Sequence, residues 1–367
     1  MKTPTSIYLL LLCVAIVVLP SCKLGRFVFY NFADLKDYKK FPAHTVNADS
    51  VAFTFFKAQH PKAPKNITVN DREASFEKFL KDNKTVAFLI IKDDSIHYEN
   101  YFSDYDSASI IPSFSVGKSV LSVLIGFAVD DGLLDVNDSV LKYLPQLNKS
   151  FEKVTVRDLL QMTSGVRFNE SYWNPFGHAA SFYYGRNLYK ECKKLKVVNE
   201  PAKEFDYISG NTQLLGLVLE KALKGKTISQ YLEEKLWKPL QMEYSASWSL
   251  DKRNGGVEKT FCCVNARTRD FAKIGRLYLN KGNWNGKQLL SPEWVETSTK
   301  VDTANGSAWF YQYGWWLPTK NGDFMAIGIL GQYIYVNPAK NLIIVRMGKQ
   351  AGKVDWRKFM PMLADGY

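Results

Sequence analysis

The sequence predicts an α/β fold in which strands from the two ends of the chain build one antiparallel sheet, flanked by helices and interrupted by a large, mostly helical insertion. Three observations carry this expectation. Residues 85–91 are a β-rich run, Lys92-Asp93-Asp94-Ser95 is a turn, and residues 96–102 alternate apolar with polar, which together read as a hairpin. Near the other end, residues 324–336 and 341–347 form a second hairpin around Asn337-Pro338-Ala339-Lys340. Between the hairpins, residues 156–162, 212–223, 228–236 and 269–279 repeat apolar side chains at helical spacing. A cleft between sheet and helical lobe is the expected place for a small-molecule site.

The 367 residues are 46% hydrophobic and 23% charged, enough for a large core, with no internal repeat and no flexible linker, so solenoids and tethered modules are excluded. A net charge of +12 raises the question of nucleic acid. Lys and Arg are scattered singly or in pairs such as Lys39-Lys40 and Lys193-Lys194, with acids between them, so no basic stripe forms and no nucleic-acid partner is expected.

Residues 1–22 read as a targeting segment: Met1-Lys2 is a short positive start, residues 7–19 are apolar apart from Cys13, and Leu19-Pro20-Ser21-Cys22 follows. This resembles a bacterial lipoprotein signal with Cys22 as the lipidated residue, which implies a membrane anchor and a place in the cell envelope; an ordinary signal peptide or an uncleaved anchor is the alternative. Residues 23–84, punctuated by Pro42, Pro61 and Pro64, read as a lead segment joining that anchor to a body spanning 85–367. Removal of the first 22 residues leaves Cys192, Cys262 and Cys263. A vicinal Cys262-Cys263 disulfide is strained and rare, so two buried thiols are the expected state.

The motifs that are missing prune the chemistry. His44, His60, His97 and His178 form no metal-ligand pattern, so neither a metal nor any other cofactor is expected. No Gly-x-Ser-x-Gly elbow occurs, and Gly117-Lys118-Ser119 fails as a phosphate loop because Pro112 stands where its first glycine belongs. Ser115-Val116-Gly117-Lys118 remains, one of five Ser-x-x-Lys pairs; the others are Ser75/Lys78, Ser139/Lys142, Ser150/Lys153 and Ser249/Lys252. Context separates them: Ser115 opens the stretch 116–129, apolar on nearly every side and therefore expected as a buried helix. One turn along, Lys118 shares the serine's face, and burial lowers a lysine's pKa until the neutral amine can take a hydroxyl proton. An N-cap role for the Ser115 hydroxyl is open beside the catalytic one. Tyr207, at a loop–helix junction, is the candidate proton shuttle, provided a nearby cation lowers its pKa.

Ser115-x-x-Lys118 leading into SVLSVLIGFAVDDGLLDVNDSVLKYLP, then VRDLLQMTSGV, FDYISGNTQLLGLVLE and ARTRDFAKIGRLYLNKGNWNG, resembles the β-lactamase-related serine hydrolases. These include class C β-lactamases, D,D-peptidases, esterases and 6-aminohexanoate-dimer hydrolases. The resemblance implies the serine β-lactamase/transpeptidase-like fold for residues 85–367, with Ser115 acylated, Lys118 as base and Tyr207 as second-motif tyrosine. It also implies an oxyanion hole from the Ser115 and Ile329 amides, with Ser209, Gly328 and Tyr172 bordering the substrate; core or rim packing is the alternative for Tyr172. Two departures matter. Ser209 stands where class C enzymes have asparagine, and Ala326-Ile327-Gly328 replaces their Lys-Thr-Gly. Without that lysine, the expectation is cleavage of small linear amides or esters, ahead of β-lactamase or D,D-peptidase activity and of an idle envelope scaffold. The runs Trp309-Phe310-Tyr311 and Trp315-Trp316 suit an apolar cleft wall or core packing equally.

Overall fold

The computed structural model describes residues 23–30, 32–69 and 72–367; the targeting segment 1–22, with Cys22, lies outside the described residues. Eight strands form the main sheet: β1 (Phe56–Lys57), β2 (Thr85–Lys92), β3 (Ser95–Tyr101), β4 (Tyr311–Gln312), β5 (Trp315–Trp316), β6 (Phe324–Gly328), β7 (Gln332–Asn337) and β8 (Leu342–Gly348). Their order is β4-β5-β6-β7-β8-β2-β3-β1. The central pairing joins the two ends of the chain, with Leu342 opposite Lys92 and Val345 opposite Leu89. Only β1 departs from the expected antiparallel pattern, lying parallel to β3 and making the sheet mixed.

The alternation explains why β2 reads as an unbroken apolar run. Ala87, Leu89 and Ile91 enter the larger core, while Phe88 and Ile90 enter a smaller one on the opposite face. A strand covered on both faces has no polar side to show. The larger core holds helix α2 (Val116–Asp130), α3 (Ser209–Ala222) and α4 (Thr268–Leu279); the smaller one is closed by α1 (Phe76–Asp82) and α5 (Trp356–Ala364). Gly275 of α4 lets that helix lie close on the sheet, since a Cβ there would meet Ile334 and Ile343 at 3.1 Å.

A second sheet, ordered Ala43–Val46, Ala246–Ser249, Val264–Ala266, Ile111–Pro112, leads directly into Ser115. The described part of the lead segment thus supplies strands to both sheets, and Leu35, Val46 and Phe55 are buried. Four sequence-level ranges shift. Residues 324–336 are two strands, because the chain turns at 329–331 with Leu330 and Gly331 at φ 65° and 88°. The helix expected at 228–236 becomes an α-helix, Ile228–Leu232, continued by a π turn, Glu233–Trp237. The helix expected at 156–162 ends at Leu160, and the one expected from 212 starts at Ser209. No helix among the described residues is long and apolar enough to cross a membrane.

Arg346 of β8 locks the turn after β6 to the rest of the sheet. It is fully buried and donates to Gly331 O (2.6 Å), Asn83 O (2.6 Å), Gln350 O (3.0 Å) and Thr85 Oγ1 (3.0 Å), with its guanidinium 3.9 Å from the Trp356 ring. Burial lowers its pKa to about 9, which leaves it charged at neutral pH. A lysine has one nitrogen and cannot span these acceptors. Arg346→Lys is therefore expected to lower the unfolding free energy by about 2–4 kcal/mol, read from the urea midpoint at constant m-value.

Candidate active site

Ser115 sits where the second sheet hands the chain to α2. Ser113 N donates to Val264 O (2.7 Å), and Val264 N donates back to Ser113 Oγ (3.1 Å), which anchors the loop to its neighbouring strand. Phe114 then takes a left-handed φ of 45°, a strained conformation for a buried aromatic residue, and the helix starts immediately after. Gly328 of β6 approaches this loop closely: a Cβ there would lie 2.5 Å from Ser113 O and 3.3 Å from Ser115 N. Gly117 serves the other side, where a Cβ would be 2.9 Å from the Cys262 carbonyl carbon. Ser115 occupies the N-cap position, yet its side chain makes no capping hydrogen bond, so the capping role open in the sequence is not used.

Lys118 is 3% exposed, and its Nζ donates to Phe261 O (2.8 Å), Ser209 Oγ (3.1 Å) and Ser115 Oγ (3.5 Å). All three acceptors are uncharged. Burial pulls its pKa down to about 8, and the nearby Glu170 carboxylate acts in the opposite direction. Tyr207 lies with its ring 5.3 Å from Lys118 Nζ, and its side chain interacts with Ser115. Its pKa runs opposite to the sequence expectation: burial holds the phenol well above its ordinary value, so Tyr207 stays protonated at neutral pH. An amine desolvated beside a hydroxyl can take that hydroxyl's proton, and a protonated phenol can donate one.

Glu170 was not among the residues singled out from the sequence. Its carboxylate accepts from Ser209 N (2.8 Å) and Ser209 Oγ (2.6 Å), and Tyr172 Oη donates to it (2.9 Å). The only pointer in the sequence was its place two residues before Tyr172. Phe261, whose carbonyl takes the shortest hydrogen bond from Lys118, had no pointer at all, since any residue type carries a carbonyl. The structure therefore gathers Ser115, Lys118, Tyr207 and Ser209 directly, with Tyr172 joined to them by hydrogen bonds to Glu170 and to Ser209. Gly328 lies against the loop that carries Ser115, and Ile329 is the first residue of the turn beyond it. Beside them, Cys262 and Cys263 are not the two thiols expected: they form a vicinal disulfide, with Cys263 at φ 77°, while Cys192 is a buried free thiol.

The protein-family model described as Beta-lactamase matches residues 73–361. The 6-aminohexanoate-dimer hydrolase of Paenarthrobacter ureafaciens is 26% identical over 304 residues, covering 75% of each chain. A Bacillus anthracis structure provisionally assigned as a 6-aminohexanoate-dimer hydrolase superposes with a TM-score of 0.78 at 23% identity, covering 89% of each chain. A Bacteroides dorei structure provisionally assigned as a β-lactamase gives a TM-score of 0.64 at 20% identity, covering 79% of this chain and 95% of that one. The fold is shared across both assignments.

The Lys118 environment sets a pH dependence. If the neutral amine activates Ser115, labelling by a fluorophosphonate should accelerate as pH rises, with a midpoint at about 8. Because Glu170 raises the Lys118 pKa, Glu170→Gln should move that midpoint to lower pH; the pH profile of the labelling rate in the two proteins checks both expectations.

Proposed function

The chain belongs to the β-lactamase family, and on that premise we propose that it is a serine hydrolase cleaving small linear amides or esters through an acyl-enzyme on Ser115. The observation that carries this reading is Lys118: a buried amine among uncharged acceptors, 3.5 Å from the Ser115 hydroxyl. Neutral Lys118 takes the Ser115 proton as Oγ attacks the substrate carbonyl carbon. The resulting oxyanion is held by the backbone N–H groups of Ser115 and Ile329, donors that need no particular side chain. Tyr207 gives its phenolic proton to the departing nitrogen or oxygen and recovers one from the Lys118 ammonium. Water then attacks the ester on Ser115, releasing the acid and the free serine.

Ser209 in this reading relays Glu170 to Lys118, and Tyr172, Ser209 and Gly328 border the substrate. Support for amides and esters over β-lactams comes from Ala326, a position where class C β-lactamases have the lysine that grips a carboxylate; here it is a buried alanine. The name of the Paenarthrobacter relative, a dimer hydrolase, is consistent with a linear substrate. Leu19-Pro20-Ser21-Cys22 supports lipidation of Cys22 and anchorage in the bacterial envelope.

Intact-mass spectrometry after exposure to a fluorophosphonate, and separately to a penicillin, tests the reading. The expected outcome is a fluorophosphonate adduct on Ser115, no penicillin adduct or turnover, and loss of about 10³-fold or more of ester hydrolysis in Ser115→Ala. Stable penicillin acylation would transfer the assignment to a cell-wall enzyme. Full activity in Ser115→Ala would remove the mechanism.

A further inference from the structure

Resting on the reading of Cys22 as a membrane anchor, we propose that Phe32, Trp173 and Phe176 form an aromatic face that docks on the lipid bilayer and sets the Tyr172 edge of the Ser115 site against the headgroups.

The face is apolar and open. Trp173 and Phe176 are each 75% exposed, Phe32 is 47% exposed and Tyr172 40%. Large apolar rings left in water as a group, rather than singly, mark a surface that something covers. These are gathered: the Phe32 and Trp173 rings are 4.6 Å apart, and Tyr172, Trp173 and Phe176 share one short loop, whose turn is closed by Gly177 N donating to Asn174 O (3.0 Å). At the inner end of that loop, Tyr172 Oη donates to Glu170, whose carboxylate holds Ser209. The exposed rings therefore border the site itself.

The path of the chain points to what covers them. Cys22 immediately precedes the helix Lys23–Tyr30, and that helix is docked on the body. Arg26 Nε donates to Tyr184 O (2.7 Å), the Phe27 and Tyr184 rings meet edge-on at 5.4 Å, and two residues beyond the helix Phe32 reaches Trp173. Eight helical residues and three extended steps put Phe32 within roughly 25 Å of Cys22. An anchor at Cys22 has no long linker, so it holds the aromatic face close to the membrane surface.

Charge agrees with that occupant. Lys40 Nζ donates to Tyr30 O at the end of the same helix (3.4 Å), and the cavity beside it is lined by Lys39, Lys40, Arg186, Lys252 and Arg253. Lys40 is paired with Asp34 and Asp37, and the one carboxylate in the lining, Asp251, accepts from the backbone N–H groups of Leu188 and Val257. The remaining cations suit anionic headgroups, while Trp and Tyr rings settle at headgroup level.

Tryptophan fluorescence of the full-length protein, expressed in bacteria and reconstituted into vesicles, tests the proposal. The vesicles hold three parts phosphatidylcholine to one part phosphatidylglycerol, with or without bromine on the acyl chains, and the difference between wild type and Trp173→Phe isolates the emission of Trp173. Bromine on the upper acyl carbons is expected to lower that emission roughly twofold or more, because a Trp at headgroup level lies next to them. Phe32→Ser and Phe176→Ser, both at exposed positions, should each weaken the quenching without moving the unfolding temperature. Trp173 emission that bromine leaves unchanged overturns the bilayer face, and shielding of that emission from aqueous acrylamide at the same time would assign the face to a second copy of the chain. Intact mass separates this proposal from the reading it rests on. An acyl mass on Cys22 with Trp173 unquenched removes the face and keeps the anchor; quenching without an acyl mass keeps the face and removes the lipidated cysteine; neither removes both.

Discussion

Everything at the site depends on how one amine is buried. Lys118 Nζ is satisfied by a backbone carbonyl and two hydroxyls, and the Glu170 carboxylate takes its hydrogen bond from Ser209 while acting on the amine through space. A carboxylate in direct contact would favour the ammonium and hold its pKa high. With Ser209 interposed, desolvation outweighs the attraction and the pKa settles at about 8. The same carboxylate holds Ser209 and Tyr172 by hydrogen bonds without contacting the amine itself.

Burial alone does not identify such a lysine. Lys259 is fully buried as well, donates to Tyr183 O, lies 3.5 Å from the Phe41 ring, and has its pKa pulled down to about 7. Its hydrogen bond goes to a backbone carbonyl and not to a serine hydroxyl, while the Asp251 and Asp37 carboxylates act on it through space. Proximity to Ser115 Oγ, and not the depressed pKa, distinguishes Lys118.

The scaffold around this amine is built from close backbone approaches. Gly117 brings α2 onto the 261–263 segment that supplies the Phe261 carbonyl, and Gly328 brings β6 onto the loop that carries Ser115. Phe114 stores strain between them, and its cost is met by the hydrogen bonds of Ser113 to Val264 and by the helix that follows, buried from Val116 to Ala128. Arg346 holds the far end of the arrangement, where the β6–β7 turn presents Ile329.

Much of the architecture was legible locally. Hairpins, turns and helix periodicity report on residues a few positions apart, so both terminal hairpins and the long buried helix after Ser115 could be read from pattern, as could the class of the fold. The ends of elements were less legible, because Leu330 and Gly331 bend the chain inside what reads as a continuous apolar strand. The sequence by itself determined the Ser-x-x-Lys pair, its place at the head of an apolar helix, and the absence of a lysine at position 326. Only the tertiary structure decided what surrounds the amine: the Phe261 carbonyl, Glu170 hydrogen-bonded to Ser209, the raised rather than lowered Tyr207 pKa, and the joined Cys262 and Cys263. Desolvation and through-space contact are set by chain segments scores of residues away, and no local pattern encodes which of them will meet.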